Sequence, residues 1–149
     1  MSKKNKVYHN TTLLLRSYQD LKEHCSGSES LIKIENEALE DWYNIENESV
    51  SFEDYLKSVK KTKTRTVAML KLVDRYLRAY KADAKRRNDT NKLNRWGVID
   101  KRYISGSMTL EEISEEMEKD ISSIKRYHKR AIDELGVYFF GIEGLKLEK

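Results

Sequence analysis

The feature that most constrains the fold is the absence of proline from all 149 residues, together with a low count of six glycines. These two residue types are the ones that most strongly interrupt helices and mark turns. Hydrophobic residues make up 38% of the chain and charged residues 36%, so the chain has enough apolar material to form a core. The sequence therefore predicts an all-α protein with long helices and short polar connections.

Apolar residues spaced three and four apart predict a series of helices. We expect them over residues 7–24, 31–45, 51–59, 66–87 and 91–104, although the start of the second could instead be a strand. On the first helix, Leu14, Tyr18 and Leu21 share one face. On the fourth, the apolar residues form a narrow seam: Leu70, Val73, Leu77, Tyr80 and Ala84. A seam of about two heptads is more typical of a core than of a coiled coil, and a homodimer through it stays the alternative.

Charge is distributed in blocks along the chain. Residues 29–56 carry nine acids and one lysine, a net of −8, whereas residues 57–89 carry twelve bases and three acids, a net of +9. Such blocks are typical of solvated helix faces that attract each other, and they also set the local field at a surface. A polar run at 88–91 marks a boundary. We therefore predict an N-terminal helical module at 1–62, a long basic helix with its linker at 63–90, and a C-terminal domain at 91–149.

Within the C-terminal domain, residues 109–135 form two helical patterns, the first acidic and the second basic. Thr109 and Glu112 have the spacing of a capping box, and Asp120 is positioned to cap the second helix after a tight turn at 118–120. We expect Gly106, before the first helix, to adopt the left-handed conformation of a helix end. Apolar stripes face inward on both helices: Leu110, Ile113 and Met117 on the first, and Ile124, Tyr127, Ala131 and Leu135 on the second.

A short helix, a tight turn and a second helix with a basic face is the pattern of a helix-turn-helix, whose second helix enters the DNA major groove. Lys125 and Arg126 suit guanine acceptors, and Arg126 can form two parallel bonds. The serines of the first turn suit a phosphate, and Lys129 suits the DNA backbone. The predicted DNA-binding residues are Ser122, Ser123, Lys125, Arg126, Lys129 and Arg130. The alternative is a helical hairpin with one basic, solvated face.

The sequences RYISG at 102–106, TLEEI at 109–113 and SIKRYHKRAIDEL at 123–135 together resemble region 4 of sigma-70 factors. The ending YFFGIEGL resembles more particularly the ArpU/RinA-type phage transcription regulators. This resemblance implies a sigma-like helix-turn-helix that activates late genes of phages and prophages in Gram-positive bacteria. It also implies RNA polymerase as a partner and the bacterial cytoplasm, at the nucleoid, as the location. The chain departs from the sigma pattern at Glu118 and Lys119, where the turn usually holds glycine and then an apolar residue.

Residues for other chemistry are scarce. No glycine-rich phosphate loop is present, His9, His24 and His128 are scattered, and the single Cys25 excludes an internal disulfide and offers no zinc-ligand spacing. The chain also lacks an apolar run long enough to span a bilayer. We therefore expect no enzyme activity, no cofactor, no metal and no membrane partner. His128 is expected to be a hydrogen-bonded structural histidine.

Two other functions stay open at this point. A small terminase subunit of a phage also joins a helix-turn-helix to an oligomerising helical segment. A protein-interaction module would use the acidic and basic faces to bind other proteins and would not bind DNA. The apolar segment at 137–142 is expected to pack against the helix-turn-helix. Left exposed, it would mark a partner or self-association surface.

Overall fold

The computed structural model describes residues 3–24 and 63–141, and within these ranges it contains α-helices, one π-helical segment and no strand. This confirms the all-α prediction. The helices are α1 (Lys3–His24), α2 (Lys63–Arg87), α3 (Thr90–Ile99), α4 (Leu110–Met117) and α5 (Ile121–Phe140), and the π-helical segment (Asp100–Ile104) continues α3. The predicted elements at 31–45 and 51–59 lie outside the described residues. No described helix is both long enough and apolar enough to cross a membrane.

One hydrophobic core joins α1, α2 and α5, and it also includes Ile99 at the end of α3 and Tyr103 of the π-helical segment. The predicted apolar face of α1 is buried, and so is the whole predicted seam of α2, whose five residues are at most 5% exposed. At the start of α2 the buried surface is wider than a seam, because every residue from Thr66 to Leu70 is buried. The main core thus draws residues from both sides of the polar run at 88–91. The division of the chain into three units remains a prediction.

A second, smaller core joins α3, α4 and α5 through Val98, Ile113 and Ile124, each 0% exposed. The predicted inward residues Leu110, Met117 and Tyr127 pack around these three, together with Met108. Because one residue from each helix meets at the centre, α3, α4 and α5 form a trihelical unit. This unit fixes how α4 and the first half of α5 cross.

The chain differs from prediction at residues 100–106, where we expected one regular helix to end in a left-handed glycine. Instead, the N–H of Ser105 donates to the carbonyl of Asp100 at 2.8 Å, the i to i+5 bond of a π-helix. Gly106 does not have a positive φ. It is needed for space, because a Cβ there would lie 3.0 Å from the carbonyl oxygen of Lys101. The side-chain amide of Gln19, on α1, donates to the carbonyl of Tyr103 at 3.0 Å and helps to cap this helix end.

The aromatic end of α5 packs inward, as expected, although against α2 rather than against the helix-turn-helix. The ring of Tyr138 lies edge-on to Tyr80 at 5.6 Å, and that of Phe139 lies edge-on to Tyr76 at 5.9 Å. Phe139 is only 1% exposed. This surface of the described chain is therefore part of the core. Ile142, at the end of the predicted segment, lies outside the described residues.

Candidate nucleic-acid interface

The start of α4 is fixed by the predicted capping box. The hydroxyl oxygen of Thr109 accepts from the N–H of Glu112 at 3.1 Å, and the carboxylate of Glu112 accepts from the N–H of Thr109 at 3.0 Å. The bonds from Thr109 hold the pKa of Glu112 below its usual value. The sequence prediction is confirmed here because both partners lie within one helical turn.

The turn between α4 and α5 has the geometry of a Schellman motif, with Glu118 in the left-handed conformation at φ 54° and ψ 47°. The N–H of Lys119 donates to the carbonyl of Ser114 at 3.1 Å, and the N–H of Glu118 donates to that of Glu115 at 3.3 Å. The hydroxyl of Ser114 also donates to the carbonyl of Lys119. Glutamate therefore occupies the glycine position of this motif, at the cost of a strained φ.

Replacing Glu118 by glycine is expected to stabilise the protein by about 1 kcal/mol, because glycine adopts the left-handed conformation without the Cβ penalty. Urea denaturation monitored by circular dichroism measures this difference. Asn88, which ends α2 at φ 48°, provides the matched control. Asparagine tolerates this conformation better than glutamate, so Asn88→Gly should stabilise the protein less. An equal gain at both positions would contradict the assignment of strain to Glu118.

Asp120 begins α5 as predicted, but its side chain does not cap the helix. Its carboxylate oxygen Oδ2 instead accepts from the hydroxyls of Ser122 at 3.1 Å and Ser123 at 3.4 Å. The two serines were predicted to meet a DNA phosphate. A phosphate at this helix end would also meet the negative charge of Asp120. The contact of the two serines with a phosphate remains a prediction.

The six predicted DNA-binding residues lie on one side of the first half of α5. All are exposed except Ser123, which is half-buried. Arg126 donates through Nη2 to the hydroxyl of Ser123 at 3.1 Å, and Lys129 pairs with Asp133 at 3.4 Å. Lys125 and Arg130 make no hydrogen bond or ion pair within the part of the chain that the structure describes. The basic face is therefore open to a partner.

His128 lies toward the interior side of α5, next to the basic face. Its Nε2 is 2.7 Å from the hydroxyl oxygen of Tyr103, which itself accepts from Nε of Arg102 at 3.3 Å. Burial, with the nearby charges of Arg102 and Arg16, lowers the pKa of His128 to about 4. Because the imidazole is neutral, its Nε2 can accept a hydrogen bond from the Tyr103 hydroxyl. This confirms the prediction of a hydrogen-bonded structural histidine.

The protein should lose stability as the pH falls from 6.5 to about 4, because the unfolded chain protonates His128 at its ordinary pKa of 6.5 while the folded chain does not. The contribution is fully present above pH 6.5. We expect a loss of about 2 kcal/mol, allowing for partial solvent exposure. Unfolding free energies measured in urea at several pH values give the slope. In His128→Gln, which keeps an acceptor for Tyr103 but does not titrate, this part of the slope should disappear. A slope unchanged in that variant would contradict the burial of His128.

The sequence did not predict a buried ion pair beside the interface. Arg95, which is 9% exposed, donates through Nη1 to the carboxylate of Glu134 at 2.8 Å. The same carboxylate accepts from the hydroxyl of Tyr80 at 2.8 Å. One side chain of α5 is thus bound to both α2 and α3. Helical spacing gave some signal, since Arg95 lies next to the inward-facing Trp96 and one turn before Ile99.

Among the residues that the structure describes, no group of three or more His, Cys, Asp or Glu side chains is arranged to hold a metal ion. The carboxylates of α4, at positions 111, 112, 115 and 116, are all exposed. One of them, Glu116, pairs with Lys101 at 2.6 Å. Comparisons of the chain with models of protein families, with curated proteins and with solved structures found no match.

Proposed function

We propose that the protein is a sequence-specific DNA-binding regulator of transcription. The observation that carries this proposal is the exposed cationic face of α5, formed by Lys125, Arg126, Lys129 and Arg130, on a helix whose crossing with α4 is fixed by a buried trihelical core. A rigid helix with a row of outward cations and no apolar patch among them suits the DNA major groove.

In this proposal, α5 lies in the major groove and α4 crosses above it. Lys125 and Arg126 are closest to the start of α5 and contact base edges, which carry sequence information. Lys129 and Arg130, one turn further on, contact phosphates. The exposed carboxylates of α4 face away from the DNA, because their charge would repel it.

The biological setting of the proposal rests on the resemblance to region 4 of sigma-70 and to the ArpU/RinA-type regulators. On that basis, we propose that the protein activates late genes of a phage or prophage, by binding their promoters and contacting RNA polymerase. This places it in the bacterial cytoplasm, at the nucleoid. Double-stranded DNA is its first partner and the polymerase its second.

The double substitution Lys125→Ala with Arg126→Ala should weaken binding to a selected DNA site by at least about 30-fold, since two contacts to base pairs of about 1–3 kcal/mol each contribute at least about 2 kcal/mol. Fluorescence anisotropy with a duplex selected from a random-sequence library measures this loss. The matched control is Arg78→Ala with Lys85→Ala, which removes the same charge from exposed positions of α2. An equal loss in the control would mean that only total charge matters.

Lys129→Ala should weaken binding to all sequences to a similar extent. It should also reduce the slope of log affinity against log salt by about one unit, because one phosphate contact is lost. Titrations of selected and scrambled duplexes at several salt concentrations measure both quantities. A change in sequence preference without a change in slope would contradict the assignment of Lys129 to a phosphate.

The same measurements separate the remaining alternatives. If the full chain has no affinity for DNA at low salt, the protein-interaction module becomes the better explanation of the basic face. A stable ring of eight or more subunits in native mass spectrometry would favour the small terminase subunit. A monomer or dimer that selects one DNA sequence supports the regulator.

A further inference from the structure

We infer that Asp120 is a positioning residue for sequence recognition, which acts on Arg126 through the hydroxyl of Ser123. This inference rests on the proposed DNA-binding function. Two hydrogen bonds join the three side chains: Arg126 Nη2 to Ser123 Oγ at 3.1 Å, and Ser123 Oγ to Asp120 Oδ2 at 3.4 Å. We call this set the Asp120 relay.

The chemistry of the three groups fixes the direction of the relay. An ionised carboxylate only accepts hydrogen bonds, and a guanidinium only donates them. The hydroxyl proton of Ser123 must therefore point to Asp120, which leaves its lone pairs for Arg126. The hydroxyl of Ser122 donates to the same carboxylate oxygen at 3.1 Å, but it is not part of the path to Arg126.

The relay uses one of the five N–H groups of Arg126 and leaves the others free. A guanidinium that is already held loses less side-chain freedom when it binds the two acceptors of a guanine. Arg126 is exposed, so without the relay its side chain would sample many rotamers. We expect the relay to strengthen binding at one guanine without any direct contact between Asp120 and that base.

Asp120 also weakens binding to non-specific DNA sequences. Its negative charge lies at the start of α5, next to the residues that face the DNA, so binding that depends only on phosphates is weakened by repulsion. At the selected sequence, the contact of the oriented Arg126 with guanine compensates for this repulsion. Both effects raise the ratio of specific to non-specific affinity: the carboxylate lowers the non-specific affinity, and the oriented Arg126 maintains the specific affinity.

The test uses the full chain, duplexes selected from a random-sequence library, and the same duplexes with single base pairs changed. Ser123→Ala breaks the relay without changing the charge of the protein. We expect it to reduce discrimination at one G·C pair by about tenfold, which is part of the contribution of a bidentate contact. Ser122→Ala is the matched control, because Ser122 contacts Asp120 but not Arg126. If Ser122→Ala lowers the affinity for DNA, we expect it to lower the affinity for all sequences to the same extent.

A double-mutant cycle separates positioning from a structural effect. In the Arg126→Ala background, Ser123→Ala should no longer change discrimination, since no guanidinium remains to be oriented. Asp120→Asn should raise affinity for scrambled DNA while it lowers the ratio of specific to non-specific affinity. A purely structural role of Asp120 would instead change stability and leave this ratio intact.

The outcomes for the two proposals differ. If the full chain selects no sequence from the library, the proposed function fails and the inference fails with it. If it selects a sequence but Ser123→Ala discriminates as well as the wild type, only the inference is overturned. An effect of Ser123→Ala that persists without Arg126 would also overturn it.

Discussion

Replacing Glu134 by alanine is expected to lower the free energy of unfolding by about 3 kcal/mol, because it leaves the guanidinium of Arg95 buried without its charge partner. The side chain of Arg95 is 11% exposed, and its other hydrogen bond is from Nε to the carbonyl of Asn91 at 3.3 Å. The hydroxyl of Tyr80 loses its acceptor in the same variant. The cost therefore arises from two polar groups left unpaired.

The adjacent ion pair of α5 provides a control for this result. Lys129 and Asp133 are 3.4 Å apart, and the lysine side chain is 69% exposed. Asp133→Ala should change stability by less than about 0.5 kcal/mol, because exposed pairs contribute little. Urea denaturation of both variants measures the two losses. The comparison is valid if both variants show the same dependence of unfolding free energy on urea concentration. Equal losses at the two neighbouring positions would contradict the burial of the Arg95–Glu134 pair.

A triple variant separates the contribution of the ion pair from the cost of breaking it. Arg95→Met, Glu134→Leu and Tyr80→Phe together remove all the polar groups and keep apolar volume at the site. This variant should recover most of the stability that Glu134→Ala loses, since replacing both partners by apolar residues is often neutral. A loss as large as that of Glu134→Ala would mean that the network contributes net stability.

The parts of the fold that were predictable from the sequence are those that local interactions determine. The seam of α2 follows from helical periodicity, and all its residues are buried. The capping box requires only that Thr109 and Glu112 lie three residues apart. The basic face of α5 is likewise a consequence of the helical period, which brings residues 122, 123, 125, 126, 129 and 130 to one side once the helix forms.

The features that were not predicted depend on residues distant in the sequence. The π-helical segment ends where Gln19, more than eighty residues earlier in the chain, donates to the carbonyl of Tyr103. The burial of Arg95 depends on Glu134, which lies on another helix. Helical spacing gives a weak signal for the burial of Arg95, but no local pattern identifies Glu134 as its partner.

Within the candidate site, the sequence predicted the position of the residues but not their existing partners. Asp120 was expected to cap α5, yet its carboxylate accepts from two hydroxyls instead of backbone N–H groups. Both arrangements satisfy the same spacing, since Ser122 and Ser123 lie in the turn that a cap would serve. Only the side-chain rotamers distinguish them, and these depend on Arg126 as well.

Replacing Gly136 by leucine is expected to destabilise the protein by about 3 kcal/mol or more, because α1 and α5 cross in contact at this glycine. A Cβ at position 136 would lie 2.8 Å from Cγ1 of Val7 and 3.2 Å from Oγ1 of Thr11. Both neighbours are buried, and the hydroxyl of Thr11 is held by the carbonyl of Val7 at 2.7 Å. The side chains on α1 therefore have little room to move away.

The smaller substitution Gly136→Ala gives a sharper comparison, because Gly97 also lies inside a helix. At Gly97 an added Cβ would meet only Cε of Met117 at 3.8 Å, an ordinary contact. Gly97→Ala should therefore stabilise the protein by about 1 kcal/mol through helix propensity alone. At Gly136 the same gain is outweighed by the clash, so Gly136→Ala should lower stability.

Shortening the neighbour tests whether the clash is the cause. Val7→Ala removes Cγ1, so the added cost of Gly136→Ala should be smaller in that background than in the wild type, and the two changes should not be additive. Thermal and urea unfolding of the two single variants and the double variant measure the coupling. If Gly136→Ala stabilises the protein as much as Gly97→Ala, or if its cost is the same with and without Val7, then α1 does not pack against α5 at this glycine.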